Sequence, residues 1–514
     1  LRLVGLEMCI RDRFTFVLYK ICCLLIDLSI TYNLLVNPIY IMKNYFILFA
    51  LSVWMTGLST NAHGREIPDF FWMKKVGAMS YPVQQAVYNV TDYGAKGDAL
   101  SMNTMAIQKA IDAAEQAGGG IVVFHPGIYL TGSLFVGNNV NLHISKGVTL
   151  IGSQDIGDYK KIDTRVAGIE MEWPSALINI IGKKNAAISG DGVINGRGKV
   201  FWDKYWNMRE DYEAKGLRWI VDYDCERPRG ILIAECENVT VRDIVLYQPG
   251  FWSLHILYSK HITIDGIIIS NNIEGHGPST DGIDIDSSEY ILVQNANINC
   301  NDDNFCLKAG RDSDGLRVNR PCQYVVIRDC VAGSGGGMFT CGSETSGGIR
   351  NIVAYRMKGV GTKCGLRFKS TCQRGGVIEG IYLYDIEMIG VERPFVVDLN
   401  WNPAYSISKL PKGYDMEKIP VYWSKMLESV SLEQGTPVFR NVTLDNVTAS
   451  NARTCMNVVG IANSKIENFI LRNVCIEGNK AGKIIWAKEW KLDDVQIKAH
   501  DELILEYNEN VDMP

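Results

Sequence analysis

The chain has 514 residues, of which 47% are hydrophobic and 21% charged, and its formal net charge at pH 7 is -5. This composition excludes a wholly disordered protein, because enough apolar surface is present to form a core. The small net charge argues against nucleic acid as a partner, since phosphate binding needs a basic surface. An acidic sugar remains compatible, because it needs only a local basic cleft.

Residues 42–62 have the pattern of a signal peptide: Met42 and Lys43 are followed by the apolar run YFILFALSVWMTGL and by small residues before Ala62. This predicts a secreted or periplasmic protein with no stable membrane association after cleavage. The mature part, 63–514, is predicted to be a single domain.

Residues 1–41 are interpreted as a non-native leader. The chain begins with Leu1, and LRLVGLEMCIRDR resembles translated adapter sequence. The alternative is a real membrane anchor, because the stretch 14–30 is apolar.

The mature part begins with an amphipathic helix. Ser101 is a suitable N-cap for a helix over 102–117, which would place Ile107 and Ile111 on one face. The glycines at 118–120 would end the helix, and IVVF follows as a buried strand.

From about residue 138, short β-branched runs recur, each preceded by a turn that contains Asn or Gly. Their starts at 238, 261, 290, 324, 351 and 380 give steps of 23, 29, 34, 27 and 29 residues. No helices of βαβ length lie between them, so the pattern predicts a solenoid of stacked coils. The fold class is therefore all-β, a parallel β-helix with an N-terminal capping helix over its first coil. A β-sandwich is the rival, but its strands recur at 8–12 residues.

Two segments interrupt the repeat. The aromatic and charged stretch 199–229 is either a decorated surface loop or a wall that closes one end of a groove, and the wall would favour action at chain ends. A second irregular stretch covers 400–423.

Carboxylates concentrate in STDGIDIDSS and NCNDDNFCLKAG. Asp281 and Asp302 are 21 residues apart, about one coil, which would stack them on one face together with Asp303. Glycoside hydrolysis needs such a group, because one protonated carboxyl donates to the leaving oxygen while others activate water. Asp284 and Asp286 are interpreted as solvated turn residues.

Cationic side chains follow in GLRFKS, where Arg367 and Lys369 would share one strand face. They would either bind substrate carboxylates or form salt bridges with the aspartates. Lys308 is expected to add to this basic rim, as are Arg311 and Arg374 more weakly.

Tryptophans are candidates for stacking on sugar rings. Trp401 is the preferred candidate and Trp219 a further one, whereas Trp252 is assigned to the core together with His255.

These motifs resemble glycoside hydrolase family 28, the polygalacturonase and rhamnogalacturonan hydrolase family. The resemblance covers about 85–480 and is carried by DYGAKGD, GGGIVVFHPGIYLTGSL, STDGID, NDDNFCLKAG, CGSETSGGIRN and GLRFKS. It implies a right-handed parallel β-helix and hydrolysis with inversion, without a metal or other cofactor. It also implies Asp302 as general acid, Asp281 and Asp303 as the water-activating pair, and Arg367 and Lys369 as ligands of the galacturonate carboxylate.

One position departs from the family pattern, because Gly336 stands where the family has a histidine. His276, five residues before Asp281, would either supply an imidazole to the site or serve as a turn residue. The changed position fits rhamnogalacturonan oligosaccharides as well as homogalacturonan.

The predicted partner is therefore a pectic polysaccharide or oligosaccharide that contains galacturonate, bound by a monomer. One alternative is a calcium-dependent pectate lyase or uronate epimerase, with Ca²⁺ held by Asp281, Asp284, Asp302 and Asp303. Another is a β-helix that binds polysaccharide without catalysis. The eleven cysteines of the mature part form either free thiols or a few disulfides.

Overall fold

Short strands follow one another from residue 87 onward, and all of them except the β8–β9 hairpin pair in parallel with a strand of the neighbouring coil. The computed structural model describes residues 67–272 and 275–511, so the interpretations of 1–41 and 42–62 lie outside the described residues. No described helix is long and apolar enough to span a bilayer.

The strands are numbered in chain order. They are β1 Val87–Asn89, β2 Asp98–Met102, β3 Gly120–Val123, β4 Gly127–Thr131, β5 Leu134–Phe135, β6 Val140–His143, β7 Val148–Gly152, β8 Lys161–Val166, β9 Ile169–Pro174, β10 Ile178–Ile181, β11 Lys184–Ser189, β12 Val193–Asn195, β13 Ile231–Ala234, β14 Glu237–Arg242, β15 Val245–Tyr247, β16 Leu254–Leu257, β17 Lys260–Asp265, β18 Ile268–Ser270, β19 Ile283–Asp286, β20 Glu289–Gln294, β21 Asn297–Asn299, β22 Asp303–Lys308, β23 Cys322–Ala332, β24 Gly337–Cys341, β25 Ile349–Val360, β26 Cys364–Lys369, β27 Val377–Ile389, β28 Arg393–Asp398, β29 Val438–Val459, β30 Ile466–Ile485, β31 Ala487–Lys498, β32 Ile504–Glu506 and β33 Glu509–Val511.

The helices are fewer and lie at the start of the domain or in its insertions. The α-helices are α1 Thr104–Gln116, α2 Lys199–Ala214, α3 Val221–Asp224, α4 Asp312–Val318, α5 Pro403–Ser406, α6 Val421–Leu427 and α7 Leu432–Gly435; 3₁₀ turns cover Phe71–Lys75, Val90–Tyr93 and Ile156–Asp158.

The parallel pairings separate into three sheets that run the length of the domain. Sheet A stacks β1, β3, β6, β11, β14, β17, β20, β23, β25, β27, β29, β30, β31 and β33. Sheet B stacks the short strands β2, β4, β7, β12, β15, β18 and β21 and continues on the second halves of the long strands. Sheet C stacks β5, β10, β13, β16, β19, β22, β24, β26 and β28. The predicted right-handed parallel β-helix is confirmed.

The register of sheet A reproduces the spacing read from the sequence. Val239 pairs with Ile262, Ile262 with Ile291, Ile291 with Val325, Val325 with Ile352, and Ile352 with Ile381. These are steps of 23, 29, 34, 27 and 29 residues, as predicted. The predicted starts also share one backbone conformation, with φ near +60°, at Asn238, His261, Tyr290, Tyr324, Asn351 and Gly380.

Inward side chains of all coils form one continuous core, from Val90 to Val495. Helix α1 covers the first coil and buries Ile107, Ala110, Ile111 and Ala114 in that core, so the capping helix is confirmed. Its N-cap is Asn103 rather than Ser101, because the Ser101 hydroxyl instead donates to Asp98.

The disulfide question is answered for the described residues. All eleven cysteines there are free thiols, and nine of them are buried. In this core they pack as small apolar side chains.

Phe368 stands at the centre of the aromatic part of this core, with ring centroids 6.1–6.4 Å from Phe339, Phe395, Phe439 and Phe469. We expect Phe368→Ala to lower the free energy of unfolding by about 3–5 kcal/mol, because the cavity would be enclosed by several coils. Urea unfolding measures this change. Met105→Ala is the control, since Met105 is 74% exposed, and it is expected to stay within about 0.5 kcal/mol. Equal effects of the two variants would contradict the core assignment.

Candidate active site

The three predicted aspartates meet on one side of sheet C, in the turns that lead into its strands. Ile283 of β19 pairs with Phe305 of β22, so the coil step here is 22 residues and Asp281 lies opposite Asp303, not opposite Asp302 as the 21-residue spacing suggested. The Gly282 amide donates to the Asp303 carbonyl at 2.9 Å. Carboxylate oxygens of Asp281 and Asp303 lie within 4.8 Å of each other.

Asp303 is held by both cations of GLRFKS. Arg367 Nη1 donates to its Oδ1 at 3.0 Å, and Lys369 Nζ donates to its Oδ2 at 2.7 Å. Phe368 between them points into the core, as the alternation along β26 predicted. Burial alone would raise the pKa of Asp303, but Lys369 and Arg367 outweigh it and hold that pKa well below its usual range. Asp303 is therefore ionised.

Asp302 is in the opposite electrostatic situation. Its Oδ1 accepts the Asp303 amide at 3.0 Å and lies beside the backbone of Gly336. Burial, followed by the charge of Asp303, raises the pKa of Asp302. Asp302 thus binds a proton more tightly than an ordinary aspartate does, because Asp303 beside it is charged.

Lys308 does not lie on a rim. Its ammonium is buried between three carboxylates, 3.6 Å from Asp281, 3.4 Å from Asp284 and 3.2 Å from Glu344, and it lies over the Trp252 ring. Burial, followed by the charges of Asp284 and Asp302, raises the pKa of Asp281 well above its usual value, and Lys308 only partly opposes this.

The interpretation of Asp284 and Asp286 as solvated turn residues is wrong. Both belong to β19 and are fully buried, because the antiparallel hairpin of β8 and β9 covers this part of sheet C. Arg165 of the hairpin donates to Asp286 Oδ1 at 2.9 Å, and this pair keeps the pKa of Asp286 at about 2 despite its burial. Asp284 has only the Lys308 ammonium at 3.4 Å, which it shares with Asp281 and Glu344, and burial outweighs this cation and raises the pKa of Asp284 to about 8.

Two further expectations are corrected and a third agrees with the structure. Arg311 and Arg374 are fully buried and both bind Asp312, so neither contributes to a basic rim. Trp219 is buried against Trp423 and donates to the Lys409 carbonyl, so it cannot stack on a sugar. Trp252 is buried edge-on against His255, in agreement with its assignment to the core.

Asp281 and Asp302 line a cavity of about 310 Å³. Tyr205 and Trp206 of α2 line it as well, and α2 is joined to the coil before β16 by the hydrogen bond from the Trp202 indole to the Pro249 carbonyl. Trp401 lines the cavity next to Tyr405, and the Arg218 guanidinium lies over the Tyr405 ring. The stretch 199–229 is therefore mainly helical and supplies a wall of the cavity.

The second irregular stretch supports this wall. The Trp219–Trp423 contact and the Trp219–Lys409 hydrogen bond join the two insertions, and Trp173 and Phe251 extend the same small apolar cluster. The wall is thus packed against a core of its own rather than being an exposed loop.

His276 and Trp401 both line the cavity. His276 stacks on Trp206 with centroids 5.5 Å apart, and its Nδ1 lies 3.0 Å from Asn301 Oδ1. Trp401 contacts the two cations of β26, with Lys369 Nζ 4.4 Å from its ring centroid.

Gly336 also lines the cavity, directly beside Asp302. A Cβ added there would lie 3.1 Å from Asp302 Oδ1, whereas one at Gly337 would lie 2.4 Å from Thr340 Oγ1. Gly336 is therefore in close contact with Asp302, and a side chain at this position would touch the Asp302 carboxyl group.

The residues do not fit a calcium site well. Of the four aspartates considered as ligands, Asp281 and Asp284 face the Lys308 ammonium, and Asp303 is bonded by Arg367 and Lys369. These ammonium and guanidinium groups stand where a dication would have to bind.

Several residues of the site were not predicted from the sequence. Glu344 lies in the motif CGSETSGGIRN, and only the stacking of the coils places it 3.2 Å from Lys308. The β8–β9 hairpin lies between two of the predicted repeats and was not itself predicted. Lys363 and Arg393 also line the cavity, and only the register of the coils brings them there.

Comparison with known proteins agrees with this geometry. The family model described as glycosyl hydrolases family 28 matches residues 135–422. An exo-poly-alpha-D-galacturonosidase from Dickeya chrysanthemi is 25% identical over 438 residues, covering 76% of this chain and 67% of that protein. An endo-polygalacturonase from Pectobacterium parmentieri is 30% identical over 308 residues, covering 58% of this chain and 72% of that protein. The crystal structure of a hyperthermoactive exopolygalacturonase from Thermotoga maritima superposes with a TM-score of 0.69 at 25% identity, over 85% of this chain and 95% of that one.

The buried carboxyl of Asp284 makes a prediction about stability. Its pKa rises from about 3.9 in the unfolded chain to about 8 in the fold, so the folded state binds the proton more tightly and loses stability as the pH rises between these values. Asp284→Asn cannot titrate. We expect its melting temperature, relative to the parent protein, to increase from pH 4 to pH 8.

Thermal unfolding over this pH range measures the difference. Asp191→Asn, an exposed aspartate, is the control and is expected to show no such trend. A relative melting temperature of Asp284→Asn that falls with pH would mean that Asp284 is ionised and stabilised by Lys308.

Proposed function

This chain belongs to glycosyl hydrolase family 28 and is a glycoside hydrolase similar to polygalacturonases, and from that premise we propose that it removes galacturonate from the ends of pectic chains, with inversion. The observation that carries the proposal is the grouping of Asp302, whose pKa is raised, with Asp303, whose pKa is lowered by the two cations Arg367 and Lys369, beside a cavity lined by helix α2. Localisation outside the cytoplasm remains part of the proposal.

Asp302 is the proposed general acid. Its pKa is raised by burial and by the charge of Asp303, which favours the protonated form, and Asp302 lines the cavity beside Gly336. Transfer of that proton to the glycosidic oxygen lets the bond from this oxygen to the anomeric carbon break with the electron pair on the leaving sugar.

Asp303 is the proposed base, because its two cations keep it ionised. It would take a proton from the water that attacks the anomeric carbon from the opposite face. Asp281, within 4.8 Å of Asp303, would orient this water. A carboxyl that keeps its proton can still accept a hydrogen bond from water, so the raised pKa of Asp281 is compatible with orientation.

Arg367 and Lys369 are the proposed ligands of the substrate carboxylate. Together they carry two positive charges against the single charge of Asp303, so one further carboxylate would be attracted to them. Trp401 beside them would pack against the same sugar.

Action at chain ends is proposed from the wall. Tyr205 and Trp206 belong to α2, which is bonded to the coil before β16, while the cations of β26 belong to a later coil. A chain that enters could extend past the cations but would be stopped at the wall. His276, stacked on Trp206, would contact the terminal sugar there.

Gly336 leaves the choice of substrate open between homogalacturonan and rhamnogalacturonan oligosaccharides. The absence of a side chain there leaves Asp302 without an imidazole partner, and His276 is bonded to Asn301 instead. The space would admit a differently shaped leaving sugar.

Product analysis tests the reaction. Incubation with polygalacturonate, and separately with rhamnogalacturonan oligosaccharides, is expected to release saturated galacturonic acid despite a chelator. Asp302→Asn is expected to lower kcat by about 10²- to 10⁴-fold, because the amide cannot donate a proton to the leaving oxygen as the carboxyl does. NMR of the first product is expected to show inversion at the anomeric carbon.

Lys480→Met serves as a control for handling and folding, since Lys480 is exposed and remote in sequence from the site. An unsaturated product that disappears with chelator would identify a lyase. No product from either substrate, with oligosaccharide still bound, would favour the binding protein without catalysis.

The mode of attack makes a separate prediction. Removal of one sugar at a time from a chain end barely shortens a polymer. We therefore expect the viscosity of a polygalacturonate solution to fall by less than about a tenth by the time that roughly a tenth of its glycosidic linkages have been hydrolysed. Capillary viscometry alongside a reducing-end assay measures both quantities. A collapse of viscosity before reducing ends accumulate would rule out action at chain ends.

A further inference from the structure

Two cations of the cavity have no role in the reaction as described. Lys363 lies directly before β26 and Arg393 begins β28, and both line the cavity together with Asp302 and Gly336. Among the residues that the structure describes, neither has a carboxylate partner within 4 Å. Arg367 and Lys369, by contrast, are already bonded to Asp303.

The register places these cations in sequence along the groove. The Gly336 amide donates to the Asp302 carbonyl at 2.7 Å, the Lys363 amide to the Gly335 carbonyl at 2.9 Å, and the Arg393 amide to the Lys363 carbonyl at 3.1 Å. With coils about 4.8 Å apart, Lys363 and Arg393 start roughly 10 and 14 Å beyond Asp302. They therefore lie on the side away from the wall.

Gly336, between Asp302 and Lys363 along the coils, has no side chain that could enter the groove. Glu392, next to Arg393, pairs with Arg453 at 3.2 Å, and Asp398 at the end of β28 interacts with Arg393 only at longer range. The Arg393 Nε is buried and lacks a hydrogen-bond partner among the described residues. Because Arg393 also lines the cavity, a carboxylate that enters the cavity could accept from it.

We propose that Lys363 and Arg393 form a second carboxylate subsite on the leaving-group side, which binds a uronate one sugar beyond the one at Arg367 and Lys369. The inference rests on the proposed function and narrows its substrate class. A chain that fills both subsites carries acidic sugars in succession, so stretches of homogalacturonan are preferred to chains in which acidic and neutral sugars alternate.

Oligosaccharides of two lengths test the subsite. Digalacturonate would reach only Arg367 and Lys369, whereas trigalacturonate would also reach Lys363 and Arg393. We expect the parent protein to favour the trimer over the dimer by about tenfold or more in kcat/KM, since charge-assisted hydrogen bonds to a carboxylate have this strength. Lys363→Met and Arg393→Met are expected to reduce that preference to about twofold or less.

Matched controls remove the same charges elsewhere. Lys480→Met and Arg350→Met change exposed residues of β30 and β25 and are expected to keep the preference for the trimer. Circular dichroism melts establish that all variants are folded. Equal losses on dimer and trimer, or an unchanged preference in both groove variants, would overturn the proposal.

Binding separates this inference from the proposed reaction. Titration calorimetry of Asp302→Asn with trigalacturonate and digalacturonate, with and without Lys363→Met, needs no turnover. Tighter binding of the trimer that depends on Lys363 supports the subsite even if the parent protein hydrolyses neither sugar. Trimer binding that is unaffected by Lys363→Met overturns the subsite even if hydrolysis is observed.

Discussion

Hydrogen bonds between successive coils hold the strands of each sheet in register, and the site exists only because of this alignment. Asp281, Asp303 and the cations of β26 come from different coils, yet sheet C brings the two carboxylates within 4.8 Å of each other and both cations into hydrogen-bonding contact with Asp303. A shift of one residue in a strand exchanges its inward and outward side chains. In β26, such a shift would place Phe368 in the groove. The apolar core therefore maintains the geometry of the charged site.

The second constraint is the burial of charge. The site concentrates carboxyl groups where water is scarce, and each remains ionised only where a cation is in contact. Asp303 has Arg367 and Lys369, and Asp286 has Arg165, so both have a lowered pKa. Asp284 and Asp302 lack an equally close cation and have a raised pKa. The same physical rule thus separates a proposed acid from a proposed base one residue apart.

Two insertions between the coils form the part of the cavity that the repeated strands do not supply. Coils of a β-helix can lengthen in their turns without disturbing the sheets, because only the strand pairing has to be kept. The pairing of Ala186 with Val239 spans the insertion that contains α2, and the pairing of Ile381 with Val442 spans the one that contains α6. The two insertions pack on each other through Trp219 and Trp423 and wall the cavity.

The sequence by itself determined the coil spacing, the inward side chains of β26, the capping helix and the three aspartates, because these depend on local periodicity and on short motifs. It could not determine that Asp281 faces Asp303, because a single residue in a turn shifts that alignment. It also misjudged Asp284, Asp286 and Trp219, whose burial depends on the hairpin β8–β9 and on the packing of two insertions. Lys363 and Arg393 carry no motif, and only the stacking of three coils beyond Asp302 brings them to the groove. Contacts between segments distant in the chain leave no periodic trace in the sequence, and for that reason only the tertiary structure decided them.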